Sequence, residues 1–212
     1  MSIKLKDKNV ILWDFDGVIL NSNDIRDIGF TKTLENFPKE QVDELMKYHH
    51  ENGGLSRYNK FRYFFEKIRD ETVNDALILE YASRFSQVML NRLINKSLLI
   101  EDSFKFIKEN YRSMRMHIVS ASDQNELRTI CKGLGIDKFF HSIQGSPTTK
   151  IDNVSSILEE NKYKKEATVL IGDSINDYHA ASKNGISFIG YNNINLKANV
   201  LNYIESFNAI IS

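Results

Sequence analysis

The chain has 212 residues, enough to bury a substantial core in one domain or in one domain with an insertion. Hydrophobic residues make up 42% and charged residues 26%, which excludes a disordered chain and is typical of a soluble globular protein. Lysine plus arginine equals aspartate plus glutamate, so the formal net charge is zero; a nucleic-acid or membrane partner bound by a bulk positive field is therefore not expected.

The N-terminal segment, residues 1–8, lacks the apolar run of a signal peptide. No segment of the sequence is apolar over the length that a bilayer-spanning helix needs. We therefore expect a cytoplasmic protein.

The first predicted strand is residues 10–13, a short apolar run of the kind that is buried on both faces of a parallel sheet. It is followed directly by the acidic sequence Asp14-Phe15-Asp16-Gly17.

Residues 19–97 contain no convincing strand, only helical periodicity. Three apolar stripes carry this interpretation: Phe30, Leu34 and Phe37; Phe61, Phe64, Phe65 and Ile68; and Leu77, Tyr81, Phe85 and Val88. Pro38 and Gly53-Gly54 punctuate the helices. We predict an all-helical cap domain at 19–97, inserted after the first strand.

From about residue 100 onward, strand and helix patterns alternate. Strands are predicted at 116–119, 168–171 and 186–189, with a further candidate at 139–143, and helices at 126–134, 151–158 and 177–184. The helix at 126–134 carries the single cysteine, Cys131, in its apolar stripe, which predicts a buried thiol. This alternation predicts a doubly wound, Rossmann-like α/β core with a parallel sheet, formed by 1–18 and 98–212.

Polar residues follow the predicted strands at the point where each one ends. Asp14 and Asp16 follow the first strand, Ser120 follows the second, and Asp173 follows the strand at 168–171. Lys150 begins a predicted helix in the same half of the chain. Because ligands bind beyond the carboxyl ends of parallel strands, we expect these side chains to converge on one edge of the sheet.

Each cluster taken singly also has a purely structural interpretation. Asp-Phe-Asp-Gly is compatible with a tight turn, and Ser120 with a helix cap. Ser174 and Asp177 match a capping box, and Lys150 is compatible with a solvated first turn.

Taken together, the clusters favour a catalytic site over these structural interpretations. Two carboxylates 4 Å apart repel by about 4 kcal/mol at an effective dielectric constant of about 20, so converging carboxylates call for a bound cation. Oxygen ligands without histidine or cysteine favour Mg²⁺, and a neighbouring lysine suits a phosphate. Together they predict a phosphoryl-transfer site.

Four motifs carry a resemblance to a known family, and they occur in this order: Asp14-Phe15-Asp16-Gly17-Val18, Ile118-Val119-Ser120, Lys150, and Ile171-Gly172-Asp173-Ser174-Ile175-Asn176-Asp177. The chain resembles the haloacid dehalogenase superfamily, specifically its helical-cap phosphatases and their β-phosphoglucomutase-like relatives. The resemblance covers essentially the whole chain, including the position and size of the helical insert.

The resemblance implies a role for each matching residue. Asp14 is expected to attack phosphorus and form an aspartyl-phosphate. Asp16 is expected to protonate the leaving oxygen, then activate water, while its carbonyl binds the metal. The remaining implied roles are Mg²⁺ ligation by Asp14 and Asp173, phosphoryl binding by Ser120, Ala121 and Lys150, and a supporting role for Asp177.

The resemblance also implies the type of reaction. Dehalogenases of this superfamily lack the second acid, so the presence of Asp16 argues for phosphate chemistry. We expect a phosphatase acting on a small phosphorylated metabolite, such as a sugar phosphate or a phosphoglycolate-like acid, as a monomer or small homo-oligomer. The alternatives are a sugar phosphomutase, a catalytically inactive binding protein, and a phosphoacceptor signalling domain, which the large helical insert disfavours.

Substrate recognition within the cap has one candidate. Arg57 follows Gly53-Gly54 as in the cap loop of β-phosphoglucomutase relatives, which implies binding of a second phosphate or a carboxylate. The alternative is an exposed arginine in surface ion pairs. His49 and His50 are expected to be solvated at a helix end. One departure from the family is Asn21-Ser22, where many members carry Asp-Ser or Asp-Thr; its consequence is left open.

Overall fold

A computed structural model describes residues 5–209. Its centre is a six-stranded sheet in the order β3-β2-β1-β4-β5-β6, in which every neighbouring pair is parallel. The strands are β1 (Val10–Trp13), β2 (Arg115–Asp123), β3 (Ser142–Ser146), β4 (Thr168–Gly172), β5 (Ser187–Tyr191) and β6 (Tyr203–Ile204).

Nine α-helices are assigned within residues 5–209. They are α1 (Asn23–Thr33), α2 (Lys39–Glu51), α3 (Arg57–Tyr63), α4 (Asp75–Leu93), α5 (Glu101–Asn110), α6 (Gln124–Leu134), α7 (Lys150–Asn161), α8 (Ile175–Asn184) and α9 (Ile194–Lys197). A π-helical turn, Phe64–Ile68, continues α3. No helix in this part of the chain has the length and apolar character to cross a membrane.

The strand β1 lies at the middle of the sheet and is buried throughout. Successive side chains of a strand point to opposite faces. Accordingly Ile11 and Trp13 pack into the apolar cluster on one face, whereas Val10 and Leu12 pack into the cluster on the other. This two-sided burial explains why the run is continuously apolar rather than alternating.

The helices α1–α4 form the segment between β1 and α5, and aromatic side chains fill the space among them. Phe30 packs on Phe85 with ring centroids 4.6 Å apart and on Phe61 at 5.4 Å. Phe65 meets Tyr81 edge to face at 4.9 Å. Such pairs contribute roughly 0.5–1.5 kcal/mol each beyond their buried area, so the aromatic stripes of the sequence form the apolar centre of this helical layer.

The α/β architecture and the strands at 10–13, 116–119, 168–171 and 186–189 are confirmed, to within a residue or a few at the ends. The candidate at 139–143 was placed three residues too early. Asp137–Phe139 form a 3₁₀ turn, and β3 begins only at Ser142. The two-residue strand β6 was not predicted, since so short a run carries no periodicity.

Candidate active site

Asp14 lies directly beyond the carboxyl end of β1, and its backbone N–H donates to the carbonyl of Ile171 in β4 at 2.9 Å. The next turn requires a glycine. Gly17 has a positive φ of 76°, and a Cβ there would lie 2.1 Å from Oδ2 of Asp173. The absence of a side chain at this position lets the loop after β1 approach the loop after β4.

Asp177 is fixed by the start of α8. Ser174 caps this helix and forms a reciprocal capping box with Asp177, so the structural interpretation of that pair is confirmed. One oxygen of Asp177 accepts from Ser174, which leaves Oδ1 to accept from Lys150. The cap and the polar contact therefore use different oxygens of one carboxylate.

Lys150 is the first residue of α7, and its side chain is buried. Its Nζ donates to Oδ1 of Asp14 at 2.8 Å and to Asp177. The interpretation of Lys150 as a solvated lysine is therefore wrong. Burial lowers the pKa of Lys150, but attraction by Asp14 and Asp177 outweighs it, so the net pKa lies above the usual value.

Three carboxylates, Asp14, Asp173 and Asp177, each place an oxygen within 4.8 Å of the others. Burial and repulsion by Asp177 raise the pKa of Asp14 well above its usual range, although Lys150 opposes this. Burial, again with repulsion by Asp177, raises the pKa of Asp173 to about 7. If all three are ionised, the single ammonium leaves an excess of two negative charges.

This donor set fits a divalent cation that prefers oxygen ligands. It offers carboxylate oxygens only, with no imidazole or thiolate in the group, which is the chemistry of Mg²⁺ rather than Zn²⁺. We name Asp14, Asp173, Asp177 and Lys150 the carboxylate cluster.

Ser120 and Ala121 lie in β2 and line the same cavity as Asp14. Ser120 is buried, and its Oγ accepts a hydrogen bond from the N–H of Ser122 at 3.0 Å. That bond leaves the hydroxyl proton of Ser120 available for a ligand oxygen. The interpretation of Ser120 as a helix cap is wrong, because the cap of α6 is Asp123.

Asp16 does not join the carboxylate cluster but is held by donors. Its oxygens accept from Ser22 at 2.5 Å, from Ser122 at 2.5 Å and from Nε of Arg26 at 3.1 Å. Burial raises the pKa of Asp16, but the charge of Arg26 and these hydrogen bonds outweigh it, so the net pKa is lowered. Ser22 of the divergent Asn21-Ser22 pair thus supplies a direct contact to Asp16.

Arg26 also contacts Glu126 of α6, and Glu126 in turn binds Arg57 of α3. Both oxygens of Glu126 accept from Arg57 at 2.7 Å, and Nη1 of Arg57 also donates to Ser86. Burial raises the pKa of Glu126, but the two guanidinium groups outweigh it and lower it to about 2. Asp16, Arg26, Glu126 and Arg57 are named the arginine network; it joins the helical layer to the α/β core.

This geometry bears on the two interpretations of Arg57. The residue is only 5% exposed, so the exposed surface arginine is wrong. Arg57 does line the cavity, and contact with a substrate stays a prediction. Its guanidinium is, however, already paired with a carboxylate of its own protein.

A third polar group lies on the helical side of the cavity. Asp27 accepts from Nε2 of His49 at 2.9 Å and from Nε2 of His50 at 2.8 Å, while Nζ of Lys60 lies 2.6 Å from Nδ1 of His49. The expectation that His49 is solvated is wrong, since its side chain is 14% exposed, whereas that of His50 is 60% exposed. Asp27, His49 and His50 have metal-ligand spacing, but the ammonium of Lys60 against His49 disfavours a cation there.

The sequence patterns described above do not identify Arg26, Glu126 or Lys60 as polar groups of the site, although the sequence holds one signal for them. Each of these charged residues stands four positions before a buried apolar residue of its own segment: Phe30, Ile130 and Phe64, respectively. Residues four apart share a helix face, so each charge was placed on an apolar stripe. The local sequence does not predict which charged residues form ion pairs, because Arg26 and Glu126 are 100 residues apart.

The three groups surround one cavity of about 400 Å³, within the range of small-molecule sites. Its other walls include the turn at Gly53 and Gly54. Gly54 has a φ of 80°, and a Cβ there would lie 2.5 Å from Oγ of Ser174. This glycine allows the helical layer to lie directly on the start of α8.

The sequence of this chain is similar to that of known proteins. A family model described as haloacid dehalogenase-like hydrolase matches residues 11–191. A curated phosphoglycolate phosphatase of Colwellia psychrerythraea is 25% identical over an alignment of 202 residues, and the match covers 89% of this chain and 86% of that protein.

Solved structures share the fold at lower identity. β-Phosphoglucomutase of Clostridium difficile superposes with a TM-score of 0.76 at 13% identity, covering 95% of this chain and 92% of that one. The putative HAD-hydrolase YfnB of Bacillus subtilis, solved bound to magnesium, gives 0.67 at 16% identity and covers 96% of both chains. At such identities the likeness concerns the fold.

Proposed function

The chain belongs to the haloacid dehalogenase-like hydrolases, and we propose that it is a Mg²⁺-dependent phosphatase that hydrolyses a small phosphorylated metabolite through an aspartyl-phosphate on Asp14. The observation that carries the proposal is the carboxylate cluster, where three carboxylate oxygens lie within 4.8 Å of one another. Within residues 5–209, Lys150 is the one cation in contact with them, and Ser120 and Ala121 line the same cavity.

Asp14 is the nucleophile in this proposal. One of its oxygens, Oδ1, accepts from Lys150, which leaves Oδ2 free of that bond to attack phosphorus. The P–O bond to the leaving group breaks as the bond from Asp14 to phosphorus forms. Ser120 donates its hydroxyl proton to an oxygen of the transferred group, and Lys150 offsets the negative charge of that group.

Asp16 is the acid and base. It gives a proton to the leaving oxygen, then takes one from the water that attacks the phosphorus of the aspartyl-phosphate. The donors on Asp16 fix its orientation: Ser22 and Arg26 from the helical side, and Ser122 from β2. As the acid, Asp16 must therefore carry a proton when the ester binds. After it has given that proton up, these contacts favour its ionised form, which then accepts a proton from the attacking water and restores the starting state.

Asp14, Asp173 and the backbone carbonyl of Asp16 are the proposed metal ligands, with Asp177 in support. Bound Mg²⁺ would supply charge stabilisation for the transferring phosphoryl group. Asp173 is steadied by Nδ2 of Asn23, which lies 3.4 Å from its Oδ2, and Asn193 donates to the carbonyl of Asp173 at 2.7 Å.

The test is release of inorganic phosphate from a panel of phosphate esters, with Mg²⁺ and with EDTA. The panel contains 2-phosphoglycolate, hexose phosphates and ethyl phosphate. Magnesium-dependent release of phosphate is expected, and isotope from [³²P]-labelled ester should be trapped on the protein after acid quenching. Release that is unchanged by EDTA would remove the metal from the proposal, and isomerisation of a sugar phosphate without net release would replace the phosphatase by a phosphomutase.

A further inference from the structure

Lys60 differs from the other buried cations of the cavity. It is 3% exposed and lines the cavity from α3. Arg26, Arg57 and Lys150 each contact a carboxylate. Within residues 5–209, no carboxylate oxygen is found inside 4 Å of Nζ of Lys60. Asp16 and Asp27 attract this ammonium only from beyond that distance, and a buried ammonium without a direct ion pair is costly.

The contacts of Lys60 orient its ammonium toward accepting ligands. Burial, reinforced by the charge of Lys60, lowers the pKa of His49 to about 4, so this imidazole is neutral near pH 7 and has one N–H. We assign that proton to Nε2, which faces Asp27 at 2.9 Å. Nδ1 is then an acceptor for Lys60 at 2.6 Å. A lysine ammonium has three donors, so two remain after this bond.

His50 completes the arrangement. Its Nε2 lies 2.8 Å from the second oxygen of Asp27, so Asp27 accepts from both imidazoles. The oxygens of Asp27 are thereby taken up by His49 and His50, and no oxygen of Asp27 contacts Lys60 directly. Asp27 still attracts the ammonium across the neutral imidazole of His49, so this row of Asp27, His49 and Lys60 positions the ammonium without giving it a direct ion pair.

Resting on the proposed function, we infer that Lys60 binds a carboxylate group of the substrate, and that this phosphatase therefore selects phosphate esters with a carboxylate close to the phosphate. Lys60 offers one positive charge and two remaining donors, which suit a singly charged carboxylate. A second, dianionic phosphate would meet the nearby carboxylates Asp16 and Asp27 with more negative charge than one ammonium offsets. Arg57 is the less suitable anchor, because Glu126 already occupies two of its nitrogens. Burial lowers the pKa of Lys60 to about 7, and a bound carboxylate would favour its charged form.

The test compares two esters that differ in the carboxylate, 2-phosphoglycolate and ethyl phosphate, in steady-state kinetics with Mg²⁺. The wild-type protein should show a kcat/KM at least about 10-fold higher for phosphoglycolate. Lys60→Met should lower kcat/KM for phosphoglycolate about 10- to 100-fold, mainly through KM, the range that loss of a charge-assisted hydrogen bond gives. Its kcat/KM for ethyl phosphate should change less than about 3-fold.

Two controls separate the outcomes. Lys47→Met removes an exposed lysine of the neighbouring helix α2 and should leave both esters unaffected. Activity of Lys60→Met on ethyl phosphate reports that the variant is folded. Equal loss on both esters, or no preference for phosphoglycolate in the wild type, would overturn the inference while the phosphatase stands. Failure of the wild type to release phosphate from any ester would overturn the proposed function and the inference with it.

Discussion

The carboxylate cluster and the arginine network each hold four charged groups, three of them buried, beside one cavity, but their charges are balanced differently. The arginine network pairs two carboxylates with two guanidinium groups. The carboxylate cluster sets three carboxylates against one ammonium. The network is therefore complete within the protein, and it lowers the pKa values of Asp16 and Glu126.

The carboxylate cluster, in contrast, raises the pKa values of Asp14 and Asp173, which is the effect of buried like charges without enough counter-charge. We interpret the arginine network as a region that stabilises the fold and, under the proposed function, the carboxylate cluster as one that Mg²⁺ and the phosphate of the substrate complete. Substitutions in the two regions should consequently have opposite effects on stability and on activity.

The largest expected effect is on turnover at Asp14. Asp14→Asn removes the nucleophile and should lower kcat by roughly 10⁴-fold or more. It also removes one of three repelling carboxylates, so the melting temperature of the metal-free protein should stay equal or rise. The checks are phosphate release and thermal unfolding in EDTA. Asp43→Asn, an exposed acid on α2, is the control and should change neither. Retention of most of the activity by Asp14→Asn would refute the aspartyl-phosphate mechanism.

The next effect concerns stability at the arginine network. Glu126→Gln leaves two buried guanidinium groups short of a counter-charge, and breaking such a buried pair costs roughly 3–5 kcal/mol. We expect the free energy of unfolding, measured by urea denaturation, to fall by about that amount. Glu160→Gln, at an exposed position of α7, should stay within about 0.5 kcal/mol of the wild type. A loss below 1 kcal/mol for Glu126→Gln would mean that the network does not stabilise the fold.

Acid should weaken the same network in the wild type. The pKa of Glu126 is about 2 in the folded protein, whereas the ordinary pKa of a glutamate is 4.5, so the unfolded chain takes up a proton at higher pH than the folded one. The lowered pKa of Glu126 therefore adds roughly 3 kcal/mol to the free energy of unfolding. This stabilisation is present above pH 4.5 and is lost as pH falls toward 2.

The measurement is urea unfolding between pH 6 and pH 2.5 for the wild type and Glu126→Gln. The difference in free energy of unfolding between the two proteins should shrink as pH falls, because protonation of Glu126 in the wild type removes the same negative charge that the substitution removes. A difference that stays constant across this range would contradict the assignment of the acid-labile charge to Glu126.

The smallest effect is expected at Ser22, whose hydroxyl contacts Asp16 at 2.5 Å. Ser22→Ala removes one donor to that carboxylate, so the pKa of Asp16 should rise. Because Asp16 must hold a proton to act as the acid in phosphoryl transfer, the basic limb of the pH profile of kcat/KM should move to higher pH. Loss of this hydrogen bond should also lower the free energy of unfolding by about 1–2 kcal/mol. Ser156→Ala, exposed on α7, serves as control. An unmoved basic limb would show that Ser22 does not influence Asp16.

The sequence by itself determined the sheet and the composition of the carboxylate cluster. Continuous apolar runs predicted the buried strands, and the acidic residues after β1 and β4 had to meet because parallel strands end at one edge. Lys150 was included by its position in the motif order, and its burial between Asp14 and Asp177 was decided by the tertiary structure.

The arginine network and the Asp27, His49, Lys60 row were decided by tertiary structure alone. Arg57 was interpreted as either substrate-binding or exposed, but docking of α3 on α6 pairs it with Glu126, 69 residues away. No periodicity encodes such a pairing, since a buried charge selects its partner by proximity in the folded chain. The sequence therefore specified which polar groups meet at the strand ends. Only the packing of the helical layer decided that Lys60, a buried cation beside the cavity, has no carboxylate in direct contact within residues 5–209.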